Sequence, residues 1–101
     1  MQSSGVGNCI NMLSLTKNCR CPLLILVAMR GEWAEFNPWQ VPMGSKTKAV
    51  LELCDVLVYR VERSEDAAET VAAALDIAYS GNLATAVLLS QRLIGAKRWV
   101  K

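Results

Sequence analysis

The sequence predicts an α/β fold in which a parallel sheet lies between helical layers, on three observations. Three apolar or β-branched runs, 23–29, 56–61 and 84–89, have the length of strands. Helical spacing or helix-capping residues fill the stretches before and between them. Strands separated by helices require right-handed crossovers, which make the sheet parallel and cover both of its faces.

Gly5-Val6-Gly7-Asn8 is a small-residue turn that opens a helix over 9–17, where Cys9, Met12, Leu13 and Thr16 fall at helical spacing. At such a turn backbone amides can approach a ligand closely, although Gly5-x-Gly7 lacks the third glycine of a dinucleotide fingerprint. Pro22 opens the first strand, a position proline tolerates. The run Leu23-Leu24-Ile25-Leu26-Val27-Ala28-Met29 does not alternate, so it predicts a strand buried on both faces, and it is too short to cross a bilayer. Residues 30–44 mix charges, aromatics, prolines and glycines and predict a long loop. It starts at the carboxyl end of a buried strand, where open parallel sheets form their ligand crevices.

Residues 45–54 predict a second helix with Val50, Leu53 and Cys54 on its apolar face, closed by Asp55. The strand 56–61 follows, then a helix over 64–81. Ser64 is its expected N-cap, Glu65 and Asp66 complement the helix dipole, and Gly81 stands where a left-handed cap belongs. Val71, Leu75 and Ala78 form its stripe, with Ala68, Ala72 and Ala74 allowing close approach to a sheet. After the strand 84–89 the basic tail 90–101 carries Trp99, expected to lie on the body or on a partner.

A chain of 101 residues makes one small domain, 1–101. A domain of that size buries only about 60–65% of its unfolded surface. Hydrophobic residues make up 52% of it and charged residues 20%, which predicts that another chain covers part of the apolar surface. The net charge of +2 comes from scattered residues and indicates neither nucleic acid nor a membrane surface. Cys19-x-Cys21 lacks metal-ligand spacing and there is no histidine, so Cys9, Cys19, Cys21 and Cys54 read as reduced structural thiols and no metal site is expected. Without a basic segment leading into an apolar one at the start, the sequence reads as cytoplasmic. Three strands are few for a doubly wound sheet, so either the chain is a fragment or another chain completes the sheet.

Taken together, Gln2-Ser3-Ser4-Gly5-Val6-Gly7-Asn8, Met29-Arg30-Gly31-Glu32, Glu35-Phe36-Asn37-Pro38 and Gln40-Val41-Pro42-Met43-Gly44 resemble the pyrimidine-binding domain of thiamine diphosphate-dependent enzymes. The resemblance is greatest to sulfopyruvate decarboxylase alpha subunits and phosphonopyruvate decarboxylases, and it spans nearly the whole chain. It implies a three-layer α/β/α sandwich, here the C-terminal two-thirds of the domain. It implies a carboxy-lyase portion acting on a 2-oxoacid, sulfopyruvate or phosphonopyruvate, as part of an oligomer. The cofactor implied is thiamine diphosphate, its diphosphate and magnesium held by a separate domain or beta subunit. The resemblance places Gln2, Ser3, Ser4, Gly5, Gly7 and Asn8 at the pyrimidine end of the cleft and residues 30–44 at its rim. The family's catalytic glutamate belongs to the upstream third and has no counterpart here, so no catalytic residue is assigned. The alternative is a non-catalytic module that keeps the fold and pairs with a diphosphate-binding chain.

Two rim residues are candidates for the substrate. Arg30 suits an anionic group through bidentate hydrogen bonds, or else pins the loop by pairing with Glu32 or Glu35. Gln40 donates to a substrate oxygen or satisfies loop carbonyls. Trp33, Phe36 and Trp39 anchor an interface or fold back over the second helix.

Overall fold

The computed structural model describes residues 1–32 and 38–94. In chain order the elements are α1 (Ser3–Asn18), β1 (Leu23–Ala28), a 3-10 turn (Pro38–Gln40), α2 (Val41–Leu53), β2 (Leu57–Val61), α3 (Ser64–Gly81), β3 (Ala84–Leu89) and α4 (Gln91–Ile94). The strands form one parallel sheet in the order β1-β3-β2. From β1 the chain crosses through α2 to the far edge, then returns through α3 to the centre. Two crossovers of the same hand running in opposite directions put their helices on opposite faces. The result is the α/β architecture expected, with α1 and α2 on one face and α3 on the other.

Each face has its own core. Under α1 and α2 lie Val6, Leu13, Ile25, Val27, Met29, Leu51, Val56, Ala86 and Leu88. Under α3, Val61, Ala74 and Val87 are packed with Leu24, Tyr59, Val71 and Leu89. Ala74 and Ala78 are fully buried, and the Thr85 hydroxyl donates to the Ala74 carbonyl at 3.0 Å. Small side chains let α3 sit that close to the sheet. The expected stripe residue Leu75 is instead 41% exposed.

Several boundaries differ from the sequence reading. The turn expected at 5–8 is helix: α1 begins at Ser3 and carries Gly5 and Gly7 inside it. A glycine in a helix costs roughly 0.5–1 kcal/mol relative to alanine. Here Val6, Ile10 and Leu13 docking on the sheet offset that cost. α2 starts at Val41, four residues ahead of expectation, because Pro42 falls in its first turn, where a missing N–H is no loss. It buries Leu51 and Thr47, while the expected Leu53 is exposed. β1 is an edge strand: Ile25 and Val27 are buried but Leu26 is 43% exposed, so the run is not covered on both faces.

Ser64 is the first residue of α3, and Arg63 occupies the N-cap. The left-handed cap of that helix is Asn82 (φ 51°), not Gly81. A Cβ at Gly81 would lie 2.8 Å from the Leu83 side chain, so that glycine serves packing. Among the described residues no helix is long and apolar enough to cross a membrane. Trp39 is exposed. The expectations for Trp33, Glu35, Phe36 and Trp99 lie outside the described residues.

Candidate functional site

Every strand of a parallel sheet ends on the same side, and the helices that follow start there. Here that side gathers Arg30, Gly31 and Glu32 beyond β1, Glu62 and Arg63 beyond β2, Ser90 and Gln91 beyond β3, and the amino ends of α1, α2 and α3. α1 is tied in directly, since the fully buried Ser3 hydroxyl accepts the Arg30 N–H at 3.1 Å.

Two glycines let the chain leave β1 against the start of α2. Gly31 adopts φ +72°, and a Cβ there would lie 2.6 Å from both the Gln40 carbonyl oxygen and the Val41 Cα. A Cβ at Gly44 would run into the Arg30 carbonyl oxygen. Backbone therefore meets backbone at both places, and this crossing sets Arg30 beside Gln40. Arg30 is buried, at 4% exposure. The Gln40 side-chain oxygen is buried and has no hydrogen-bond partner among the described residues.

Next to this crossing the ends of all three strands are joined by a polar network. The Glu32 N–H donates to Gln91 Oε1 at 2.8 Å, and the Gln91 N–H donates back to Glu32 Oε1 at 3.0 Å. The other Glu32 oxygen pairs with Arg60 Nη1 at 2.7 Å. Arg60 also reaches Glu62 Oε1 at 3.1 Å and donates to Ser90 Oγ at 3.4 Å. The Glu32 hydrogen bond raises the Arg60 pKa above its ordinary value, partly opposed by burial. Raised in the folded state, that pKa makes the stabilisation fully present below the ordinary arginine range and lost only above it. Arg60 therefore stays charged throughout the pH range in which proteins fold.

The predicted residues divide on this frame. Ser3 is bonded to Arg30, and the Gly31 backbone next to Arg30 meets Gln40, with Gln2 half-buried at the N-cap of α1. Gly5 already donates to the Gln2 carbonyl at 2.9 Å. Gly7 and Asn8 lie in the second turn of α1, exposed, where backbone amides belong to the helix ladder. The glycine-rich ligand turn thus gives way to a helix end whose exposed polar groups are Ser4 and part of Gln2. Sequence reasoning missed Glu32, Arg60, Ser90 and Gln91 as a unit. Their partners are up to 59 residues apart, and only the recurrence of polar residues just past each strand hinted at it.

A cleft of about 220 Å³ opens at the other end of the sheet, lined by Lys17, Arg20, Cys54, Asp55, Asn82 and neighbours. Lys17 is ion-paired there with Asp55. Helix carboxyl ends converge on it, and none of the predicted site residues lines it. The carboxyl edge of the sheet, not this cleft, is the candidate site.

No protein-family model matches the chain. It is similar to the sulfopyruvate decarboxylase alpha subunit of Methanocaldococcus jannaschii, with 34% identity over 89 residues, 87% of this chain and 53% of that subunit. The corresponding subunit of Methanothermobacter thermautotrophicus is 38% identical over 91 residues, 88% of this chain and 54% of its own length. A sulfopyruvate decarboxylase of Methanosarcina acetivorans is 45% identical over 53 residues, 52% of this chain and 14% of that protein. The chain spans about half the length of the alpha subunits it matches.

Proposed function

We propose that this chain is the cofactor-binding portion of a sulfopyruvate decarboxylase alpha subunit that uses thiamine diphosphate and works with a second, diphosphate-binding subunit. The observation that carries this reading is the similarity to alpha subunits over 87–88% of the chain. The subunit name of those relatives supports a partner, and the exposed Trp39 and Val41 beside the candidate site suit an interface with it.

The cofactor fits the residues available in one respect. The Gln2 and Ser4 side chains are neutral hydrogen-bonding groups, and the orphaned Gln40 oxygen is a buried acceptor. That chemistry suits an uncharged aminopyrimidine ring better than a diphosphate. Gln2, Ser4 and Gln40 would hold the ring end. Bound thiamine diphosphate supplies stabilisation of the carbanion left when carbon dioxide departs.

The chain's own residues bind and orient. Arg30, at the rim and shielded from water, provides a guanidinium for the sulfonate or carboxylate of sulfopyruvate. The Gly31 and Gly44 crossing fixes its backbone, and the Glu32, Arg60 and Gln91 network holds the strand ends that carry it. Phosphonopyruvate has a second anionic group in the same place and is the competing substrate.

Turnover tests the reading. The chain, extended to the length of the related alpha subunits and mixed with a diphosphate-binding subunit, thiamine diphosphate and magnesium, releases carbon dioxide from sulfopyruvate. In that assembly Arg30→Ala raises KM about tenfold or more, the order expected for a charge-assisted hydrogen bond. No release from either oxoacid overturns the proposal. Stable association without turnover identifies the non-catalytic module instead.

A further inference from the structure

The cleft of about 220 Å³ at the amino ends of the strands, opposite the candidate site, is built around the ends of α1, α2 and α3. Each of these helices runs into a residue in the left-handed region: Arg20 at φ 53°, Asp55 at 64° and Asn82 at 51°. Glycine is the usual residue there, and asparagine or aspartate the usual substitute. Arginine is neither, so Arg20 holds its backbone under strain. Nothing inside the fold offsets that strain. Arg20 is exposed, and its guanidinium has no hydrogen bond or ion pair among the described residues. A strained residue whose side chain serves no internal contact points to a role in binding. Of the three charged residues that line the cleft, Lys17 and Asp55 are paired with each other, which leaves Arg20 as the unbalanced charge. Leu13, Leu83 and Ala84 give the cleft an apolar lining. Helix carboxyl ends disfavour an anion, but here their carbonyls are engaged. Leu15 and Thr16 accept from the Cys19 and Cys21 N–H groups, Leu51 from Val56 and Ala78 from Leu83.

We propose that this cleft binds a small monocarboxylate with an apolar body, its carboxylate on the Arg20 guanidinium and its body against Leu13, Leu83 and Ala84. Guanidinium offers a carboxylate two parallel N–H donors, and the apolar lining selects against a bare inorganic anion. The size suits one ring: an apolar cavity of about 150 Å³ already holds benzene. None of these residues belongs to the carboxyl edge of the sheet, so the site stands whether or not the chain is a decarboxylase.

Titration of the full chain with benzoate at constant ionic strength, followed by amide chemical shifts, tests it. The Leu13, Leu83 and Ala84 amides shift together and saturate with a Kd of about 10 mM or tighter, the order expected for so small a ligand. Benzyl alcohol, which keeps the ring and loses the charge, and inorganic phosphate, which keeps charge and loses the ring, each bind at least threefold more weakly. Arg20→Gln weakens benzoate binding at least threefold, and Arg20→Lys recovers part of the loss. Absence of saturable shifts at the cleft overturns the proposal, as do shifts confined to the carboxyl edge around Arg30 and Gln40. Benzoate binding that Arg20→Gln leaves unchanged overturns it too, since the cleft is then an apolar hollow without an anion site. Phosphate that binds as tightly as benzoate shows a plain cationic patch and overturns it equally.

Discussion

β1 and β3 are six-residue apolar strands that pair along their whole length, yet they live in different surroundings. In β3 the four residues Thr85, Ala86, Val87 and Leu88 are all buried, whereas in β1 only Ile25 and Val27 are, and Leu26 is exposed. Leucine-rich β1 is the more hydrophobic sequence and the less covered strand. Sheet order, not composition, decides burial: β3 returns to the centre through α3, and β1 is left with one neighbouring strand and the two residues Met1 and Gln2.

The largest expected difference follows from that contrast. Leu88→Ala removes a side chain that is 1% exposed in the central strand, and it costs about 2–5 kcal/mol. Leu26→Ala, at 43% exposure, costs under about 1 kcal/mol. Urea midpoints with unchanged slopes measure both. Equal losses would show that the two strands are covered alike in solution and would break the comparison.

A second test concerns the exits of the two strands, which are tied to each other. Glu32 follows β1, Gln91 follows β3, and their reciprocal hydrogen bonds bring Arg60 in from β2. Glu32→Gln keeps an oxygen for the Gln91 N–H but loses the ion pair with Arg60. The Arg60 side chain is about a third exposed, and solvent screens the pair. A loss of about 1 kcal/mol is expected, and it vanishes when Arg60 is already Gln. Additive losses in the double variant would mean that the strand ends are not coupled.

The alternation of helices and strands, and hence the layers, was legible in the sequence because each element carries its own period. What escaped depends on contacts far apart in the chain. Gly5 and Gly7 look like breakers until Val6 and Leu13 are seen docked on the sheet. The edge position of β1 cannot be read from β1, since the returning crossover through α3 decides it. Of the candidate site, Arg30 and Gln40 were legible as loop residues after a strand. Their juxtaposition was not, because it depends on Gly31 and Gly44 meeting backbone across the start of α2. For the same reason the turn expected at Gly7 and Asn8 is helix.

The smallest expected effect lies in the turns that lead into the strands. β1, β2 and β3 are each preceded by a non-glycine residue at positive φ: Arg20 at 53°, Asp55 at 64° and Asn82 at 51°. Asparagine and aspartate tolerate the left-handed region because their short polar side chains bond locally, but arginine has no such compensation. The strain there is about 1 kcal/mol for an ordinary residue. Relief of it competes with the greater freedom glycine gives the unfolded chain. Ahead of β1, Arg20→Gly should therefore stabilise the protein by about 0.5 kcal/mol. Ahead of β3, Asn82→Gly should change stability by no more than a few tenths of a kcal/mol. Arg20 is exposed, so the gain does not come from packing. If Arg20→Gly destabilises instead, the Arg20 side chain contributes more at the edge of the cleft it lines than its backbone strain removes. The turn into the edge strand would then be held by side-chain contacts, and the turn into the central strand by its backbone conformation.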